Sequence, residues 1–315
     1  MNLGDKIKEA ERTLKVAAEM SEYYYHKPLI ICYSGGKDSD VLLDISKKCL
    51  PVTAFEVLNS HTTVDAPETV YHIRKVFKEC EAQGIKATVR LPRDKDGKLI
   101  SMWSLIEKHH TPPTRIIRYC CRELKETTTP NRMVALGVRE DESASRQGRD
   151  SFAVRTKRTS EAEYRSTGHT FAMFRLDQYG GEDAYQCELI KACKENKDTI
   201  VNPIYKFTDD EVWQYLREFG IETNPLYAKG YKRVGCVGCP LGGYKSMKKE
   251  LSDYPKYKDN YIRAFDRMIK SRRQKWQGMK CNFNNGKEVL RWWVGDDPKQ
   301  VTFDDLLEEA TTDDK

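Results

Sequence analysis

Two sets of residues carry the chemistry that this sequence offers. The first is the run Ser34-Gly35-Gly36-Lys37-Asp38-Ser39, which follows an apolar stretch and opens an amphipathic one. Glycines let a backbone turn sharply and approach oxygen atoms, successive N–H groups form an anion nest, and the first turn of a helix adds positive potential. Lys37 contributes a full charge, and Ser34 and Ser39 offer hydroxyl donors. These are the groups that a polyphosphate needs. Asp38 is the odd member and reads as a helix cap or as a Mg2+ contact. A Gly-Gly pair with Asp and Ser also makes an ordinary strand-to-helix turn, but the apolar strand before it and the helix after it favour a nucleotide site.

The second set is Cys120-Cys121 with Cys236-x-x-Cys239, four of the ten cysteines. Arg118, Arg122, Lys232 and Arg233 stand beside them in sequence and would favour thiolates. Four thiolates hold a [4Fe-4S] cluster or a zinc ion, and unliganded core or redox cysteines are the remaining alternative. Cys32 reads as a small core residue, while Cys49, Cys80, Cys187, Cys193 and Cys281 have no spacing that points to a partner.

The elements that must position these residues follow from periodicity. An amphipathic helix is expected over 5–25, then strands over 29–33, 52–58, 86–91 and 133–138, separated by helices over 38–49, 66–83 and 102–107. Strands alternating with helices imply an α/β fold, a doubly wound, Rossmann-like parallel sheet covered on both faces. Ligands bind such sheets outside the carboxyl ends of the strands. Ser34 to Ser39 follows the first strand, Asn59 to His61 the second and Arg139 to Arg146 the fourth, so Asn59 joins the candidate nucleotide site. From residue 208 onward the texture changes to helices over 209–219 and 256–276, with loops rich in Gly, Tyr and Cys. The expected division is a nucleotide-binding α/β domain over 1–206, carrying an insert at about 147–185, and a helical cysteine-containing region over 207–315 packed on it.

Composition sets the outer bounds. Of 315 residues, 39% are hydrophobic and 32% charged, which excludes a disordered or low-complexity chain, and no apolar run reaches membrane-spanning length. The charged, helix-spaced N-terminus lacks a signal-peptide core, so a cytoplasmic location without membrane association is expected. The formal net charge of +6 is unevenly spread, with basic stretches over 146–175 and 263–280 and an acidic end beyond 304. Tyr254, Tyr257, Tyr261, Arg263, Arg267, Lys270, Arg272, Arg273, Lys275 and Trp276, with Arg155, Lys157 and Arg158, could contact phosphates and stack on bases. The same pattern is also that of a solvated helix face with its aromatics packed inward.

The run Ser34 to Ser39 resembles the SGGxDS pyrophosphate loop of the adenine nucleotide α-hydrolases, enzymes that bind ATP and cleave it between the α- and β-phosphates. Further segments resemble the PAPS reductase family within that superfamily: Thr62-Thr63-Val64-Asp65-Ala66-Pro67-Glu68-Thr69, Cys120-Cys121, Gly137-Val138-Arg139-Glu140-Asp141-Glu142-Ser143-Ala144-Ser145-Arg146, Asn224-Pro225-Leu226-Tyr227, and Gly235-Cys236-Val237-Gly238-Cys239-Pro240. The resemblance implies that Thr62 to Thr69 is a nucleotide-side loop, that Gly137 and Arg139 border the nucleotide, and that Glu142, Ser143 and Arg146 shape the site beneath it. Arg139 and Arg146 offer forked donors for phosphate oxygens, or they pair with neighbouring acids in a surface network. The adjacent cysteine pair with a distant C-x-x-C is similar to the [4Fe-4S] arrangement of APS reductases and phosphorothioation enzymes, with zinc the lesser alternative.

Two departures shape the functional expectation. The sulfonucleotide reductases vary the SGGxDS loop and carry a mobile Glu-Cys-Gly-Leu-His segment whose cysteine attacks sulfur. This chain keeps the full loop, and its residues from Val301 onward contain no cysteine. The expectation is an ATP pyrophosphatase that adenylates an acceptor for sulfur transfer, with Lys37, Asp38, Ser39 and Arg139 as catalytic groups, and ATP and Mg2+ as cofactors beside the cluster. DNA or tRNA is the expected acceptor, a cysteine desulfurase the sulfur donor, and a homo-oligomer the assembly. The alternatives are a thioredoxin-dependent APS/PAPS reductase and a non-catalytic iron-sulfur protein regulated by nucleotide.

Overall fold

The computed structural model describes residues 2–126, 132–142, 152–155, 198–275 and 283–296. The expected insert at 147–185 falls largely outside them, as do Ser143, Arg146, Lys157, Arg158, Trp276, Cys187, Cys193 and Cys281. In chain order the elements are α1 (Leu3–Tyr25), β1 (Leu29–Cys32), α2 (Lys37–Cys49), β2 (Phe55–Ser60), α3 (Pro67–Ala82), β3 (Ala87–Arg90), α4 (Met102–His109), β4 (Met133–Ala135), β5 (Phe152–Arg155), β6 (Asp198–Val201), α5 (Asp209–Glu218), α6 (Gly243–Asp253), α7 (Pro255–Lys275) and α8 (Gly286–Trp293). Among the described residues none of these helices is long and apolar enough to cross a membrane.

The chain divides into two compact units. The first comprises 1–60, 67–90 and 127–234, and the second 61–66, 91–126 and 235–315. This differs from the expected boundary after residue 206: α5 and the Asn224-Tyr227 segment group with the sheet, and 91–126 groups with the C-terminal helices. Sequence texture marks where helices begin, whereas contacts decide which core they join.

In the first unit, β1 reads Leu-Ile-Ile-Cys, an apolar run of the kind that a parallel strand buried on both faces requires. The six-stranded sheet has the order β3-β2-β1-β4-β6-β5. Five strands are parallel, as expected, and β5 pairs antiparallel with β6 at the edge. The periodicity had marked neither β5 nor β6. Ile31 stands opposite Val57 on one side and Ala135 on the other. Connections leave β1 toward β2 and return to β4 on its opposite flank, so the strand order reverses beside β1, where α/β sheets open a crevice at their carboxyl ends. Helix α1 packs on α2, β1 and β4, α2 also meets α5, and α3 packs on β3, which completes the doubly wound, Rossmann-like layering. Ile31, Leu42 and Phe55 lie in this core at no more than 2% exposure, each stabilising it by roughly 1.5–3 kcal/mol.

Two strand limits differ from expectation for local reasons. β2 begins at Phe55 because a turn closes before it, with the Ala54 N–H donating to Pro51 O at 2.9 Å. β4 stops at Ala135, and two residues later a Cβ on Gly137 would lie 3.1 Å from the Asp38 carbonyl carbon and oxygen. That position needs a glycine for close approach to the loop.

The second unit is helical, with α7 packing on α4, α6 and α8. Tyr261, Ala264, Phe265, Met268 and Ile269 form its buried stripe, at i, i+3, i+4, i+7 and i+8. Tyr261 meets Trp103, Phe265 and Trp293 in an aromatic core, and the Trp293 indole N–H donates to Pro113 O at 2.6 Å.

Candidate functional site

In the first unit the run Ser34 to Ser39 forms the turn between β1 and α2. Gly35 has φ +73°, and a Cβ there would approach Ile73 Cγ1 to 2.9 Å, so only glycine fits. Gly36 is the N-cap of α2. Ser39 Oγ donates to Gly36 O at 2.7 Å and accepts from the Gly36 N–H and the Ser34 hydroxyl, both at 3.2 Å. Ser39, rather than Asp38, therefore satisfies the start of the helix.

Asp38 is committed to cations. Its Oδ1 accepts from Arg139 Nε at 2.6 Å and its Oδ2 lies 3.5 Å from Lys37 Nζ. Arg139 is buried and also reaches Asp209 Oδ1 at 2.8 Å, Phe207 O at 3.4 Å and Asp141 Oδ2 at 3.7 Å. Lys37 Nζ meets the same Asp209 oxygen at 2.7 Å. Partial burial acts to raise the Asp209 carboxyl, but Lys37 and then Arg139 outweigh it and hold it below its ordinary value. The sequence reading missed Asp209, which looks there like any acid in a first helical turn.

Two residues clamp the turn from the Asn224-Tyr227 segment. Asn224 Nδ2 donates to Gly35 O at 2.9 Å and to Thr69 Oγ1 at 3.2 Å, and the Lys37 N–H donates to the Tyr227 hydroxyl at 2.9 Å. The resemblance had included this segment without giving either residue a role. Asn59, expected beside the nucleotide, is buried and donates to Tyr33 O at 2.9 Å, which anchors the residue just before the turn. Beneath the loop the Tyr33 hydroxyl bonds Asp40 Oδ1 at 2.5 Å and His72 Nε2 at 3.0 Å. Asp40 Oδ2 is buried with no hydrogen-bond partner among the described residues. Glu142 lies in a short helical turn over Glu140–Glu142, of which only the backbone is described.

The second unit holds all four cysteines of the expected set. Cys120 and Cys121 end a helical turn that passes into a π-type turn over Arg122–Glu126, a geometry common at functional sites. A hydrogen bond between the two thiols pulls Cys121 down to about 5, with burial opposing and Arg118 and Lys125 adding to the fall, and it pushes Cys120 up. Arg118 Nη2 lies 3.6 Å from Cys121 Sγ. Burial raises Cys236, whose thiol donates to Thr62 Oγ1 at 3.4 Å. Lys125, not singled out from the sequence, is held above its ordinary value chiefly by the charge of Cys236, and Cys120 is raised in part by Cys236 and Cys239. The four sulfurs therefore lie within one another's electrostatic reach. Among the described residues, no three His, Cys, Asp or Glu side chains converge as a single bound ion would require.

The C-x-x-C turn is held from several sides. The Val237 N–H donates to Val64 O at 2.8 Å, the Tyr261 hydroxyl to Val237 O at 2.9 Å, and the Gly238 N–H to Glu250 Oε2 at 2.6 Å. Residues 61–66, part of the segment expected beside the nucleotide, thus pair with this turn, with Asp65 bridging to Cys236. Tyr261 follows the inward-packed of the two readings of this stretch, because it is 1% exposed and hydrogen-bonded inside the core. Tyr257 is half-buried with its hydroxyl on Asp65 O at 2.8 Å. The basic residues Arg263, Arg267, Lys270, Arg273 and Lys275 remain exposed, and a cleft of about 410 Å3 is lined by Asp266, Ile269, Lys270, Arg273, Gln274 and Asn284.

The profile of the family described as the phosphoadenosine phosphosulfate reductase domain matches residues 28–241. An uncharacterized protein of Methanocaldococcus jannaschii is 26% identical over 230 residues, covering 73% of this chain and 40% of that protein. An adenosine 5'-phosphosulfate reductase of Burkholderia cepacia is 45% identical over 38 residues, covering 12% of this chain and 15% of that enzyme. The chain therefore spans less than half the length of these relatives. Among solved structures, phosphoadenylyl-sulfate (PAPS) reductase from Candida auris aligns with a TM-score of 0.40 and 16% identity over 73% of this chain and 93% of that one. NH3-dependent NAD synthetase from Campylobacter jejuni aligns with a TM-score of 0.39 and 12% identity over 90% of this chain and 100% of that one. With the match spanning both the glycine turn and the four cysteines, this chain belongs to the phosphoadenosine phosphosulfate reductase domain family.

Proposed function

We propose that the chain is an ATP pyrophosphatase that adenylates an acceptor for sulfur transfer. ATP seats its β- and γ-phosphates on Ser34 to Ser39, an acceptor oxygen attacks the α-phosphorus, and pyrophosphate leaves with the electron pair of the broken P–O bond. Sulfide, or the outer sulfur of a persulfide from a donor such as a cysteine desulfurase, then attacks the adenylated atom and AMP leaves with the electron pair of the broken bond; in the persulfide case a thiol reductant cleaves the resulting S–S bond to free the product. The observation that carries this reading is the Gly35 turn itself, with φ +73°, Lys37 at the head of α2 and the Asn224 and Tyr227 clamps behind it. Catalysis rests on positioning and on charge: Lys37 neutralises the departing pyrophosphate, and Arg139 orients Asp38. Asp38, a hard oxygen donor within the loop, is the residue that would face Mg2+, which when bound shields the phosphate charge.

Cys120, Cys121, Cys236 and Cys239 fit a [4Fe-4S] cluster by donor number and type. The cluster when bound would present or receive sulfur, or would brace the fold. Nucleic acid, as DNA backbone or tRNA base, is the favoured acceptor because α7 exposes Arg263, Arg267, Lys270, Arg273 and Lys275.

The matches to adenosine 5'-phosphosulfate reductases favour a second reading, thioredoxin-dependent reduction of a sulfonucleotide. Parallel incubations of the anaerobically purified full chain separate the two. The first reading expects equal amounts of AMP and pyrophosphate from ATP and Mg2+, dependent on nucleic acid and a sulfur donor. Sulfite released from APS or PAPS with thioredoxin, without ATP cleavage, would establish the second in its place.

A further inference from the structure

The two cations of the glycine turn are covered, and the carboxylate that covers them is not. The Lys37 side chain is 9% exposed and that of Arg139 3%, while that of Asp209 is 52% exposed. A single atom, Asp209 Oδ1, meets both cations, Lys37 Nζ at 2.7 Å and Arg139 Nη2 at 2.8 Å. An oxygen of a terminal phosphate would make the same pair of charge-assisted contacts. The carboxylate is presented by a fixed element: Asp209 is the first residue of α5, its N–H donates to Asp141 Oδ2 at 2.9 Å, and the Thr208 hydroxyl caps the helix on the Glu211 N–H at 3.3 Å. Backbone donors of the turn are held in the same way, with the Gly36 N–H on Ser39 Oγ and the Lys37 N–H on the Tyr227 hydroxyl.

We propose that Asp209 is an internal competitor for the terminal phosphates, a counter-anion that a ligand must displace from Lys37 and Arg139. The inference rests on reading Ser34 to Ser39 as the loop for the outer phosphates of ATP. Displacement imposes one fixed cost on every anion that reaches the two cations. A lone phosphate or sulfate regains little beyond what it removes, whereas a polyphosphate end adds contacts along the turn. The return of Asp209 to Lys37 and Arg139 also favours departure of pyrophosphate once the nucleotide is cleaved.

The test is titration calorimetry on the full chain, Asp209→Asn and Asp209→Glu in EDTA, with inorganic phosphate, pyrophosphate, ATP and AMP as probes. Asn keeps the side-chain shape without the charge, and melting curves confirm that each variant is folded. Asp209→Asn is expected to tighten phosphate, pyrophosphate and ATP about five- to tenfold. AMP, which lacks the outer phosphates, should change by less than about twofold, and Asp209→Glu should stay near the parent chain. Weaker pyrophosphate binding by Asp209→Asn would instead make Asp209 a ligand-positioning group and overturn the inference. Equal tightening of AMP would reduce it to a general charge effect and overturn it as well. If the parent chain binds ATP and pyrophosphate but Asp209→Asn binds them no differently, the inference alone fails. If no form binds either ligand, the loop reading fails and the inference falls with it.

Discussion

The glycine turn and the cysteine set handle charge in opposite ways. The turn gathers cations, Lys37 and Arg139, and neutralises them with Asp38 and Asp209 from its own unit. The cysteine set gathers sulfurs whose ionised forms repel, and it brings Arg118 and Lys125 within reach of Cys121, the member held low. The turn is shaped by the backbone, so its geometry depends on glycines, whereas the cysteine set is shaped by side chains that a hydrogen-bonded helical frame brings together.

The largest effect is expected from substitution in the backbone of the turn. Gly35→Ala forces a positive φ on a side chain and a Cβ against Ile73, at a cost of about 1–3 kcal/mol. ATP binding is expected to fall by about 100-fold, because displaced backbone donors lose their alignment, while iron content is retained. Calorimetry and iron analysis check both parts, and loss of iron with intact ATP binding would reverse the assignment of the two regions.

Cys236→Ser reverses the pattern. Iron and acid-labile sulfide per chain are expected to fall below about half, with ATP affinity unchanged within about twofold. Full iron retention would remove Cys236 from the ligand set.

A smaller effect is expected at Asp40, a carboxylate buried under the turn against Tyr33 and His72. Burial raises its carboxyl and outweighs the hydrogen bonds from His72 and Tyr33 that lower it. A carboxyl raised by folding stabilises the fold while protonated. Its contribution is complete below the ordinary carboxylate range near 3.9 and is lost as pH rises through the folded value. Asp40→Asn is therefore expected to gain on the parent chain as pH rises above the ordinary carboxylate range. Melting curves across that rise check the sign, and a difference that shrinks with rising pH would contradict it.

The turn was legible in the sequence because strand, glycines and helix are contiguous, and hydrophobic periodicity fixes all three locally. The clamps were not legible. Asn224 reaches Gly35 across 189 positions and Asp209 reaches Arg139 across 70, distances over which spacing carries no signal. β5 and β6 were not marked because Phe-Ala-Val-Arg and Asp-Thr-Ile-Val lack the four-residue apolar run that marks β1. Tyr261 was legible and under-weighted, because its i+3, i+4, i+7 companions on α7 are all apolar and mark an inward face. The four cysteines were found by spacing and chemistry, while Lys125 lay unmarked four residues beyond Cys121.

The central claim is that the turn after β1 grips the outer phosphates of a nucleoside triphosphate. A crystal structure of the full chain with an α,β-methylene analogue of ATP tests it most directly. β- and γ-phosphate oxygens are expected within hydrogen-bond distance of Lys37 and the Gly35–Ser39 backbone, with the Asp209 carboxylate moved off Lys37. An adenine ring against the turn, or a triphosphate bound elsewhere with Lys37 still paired to Asp209, would contradict it.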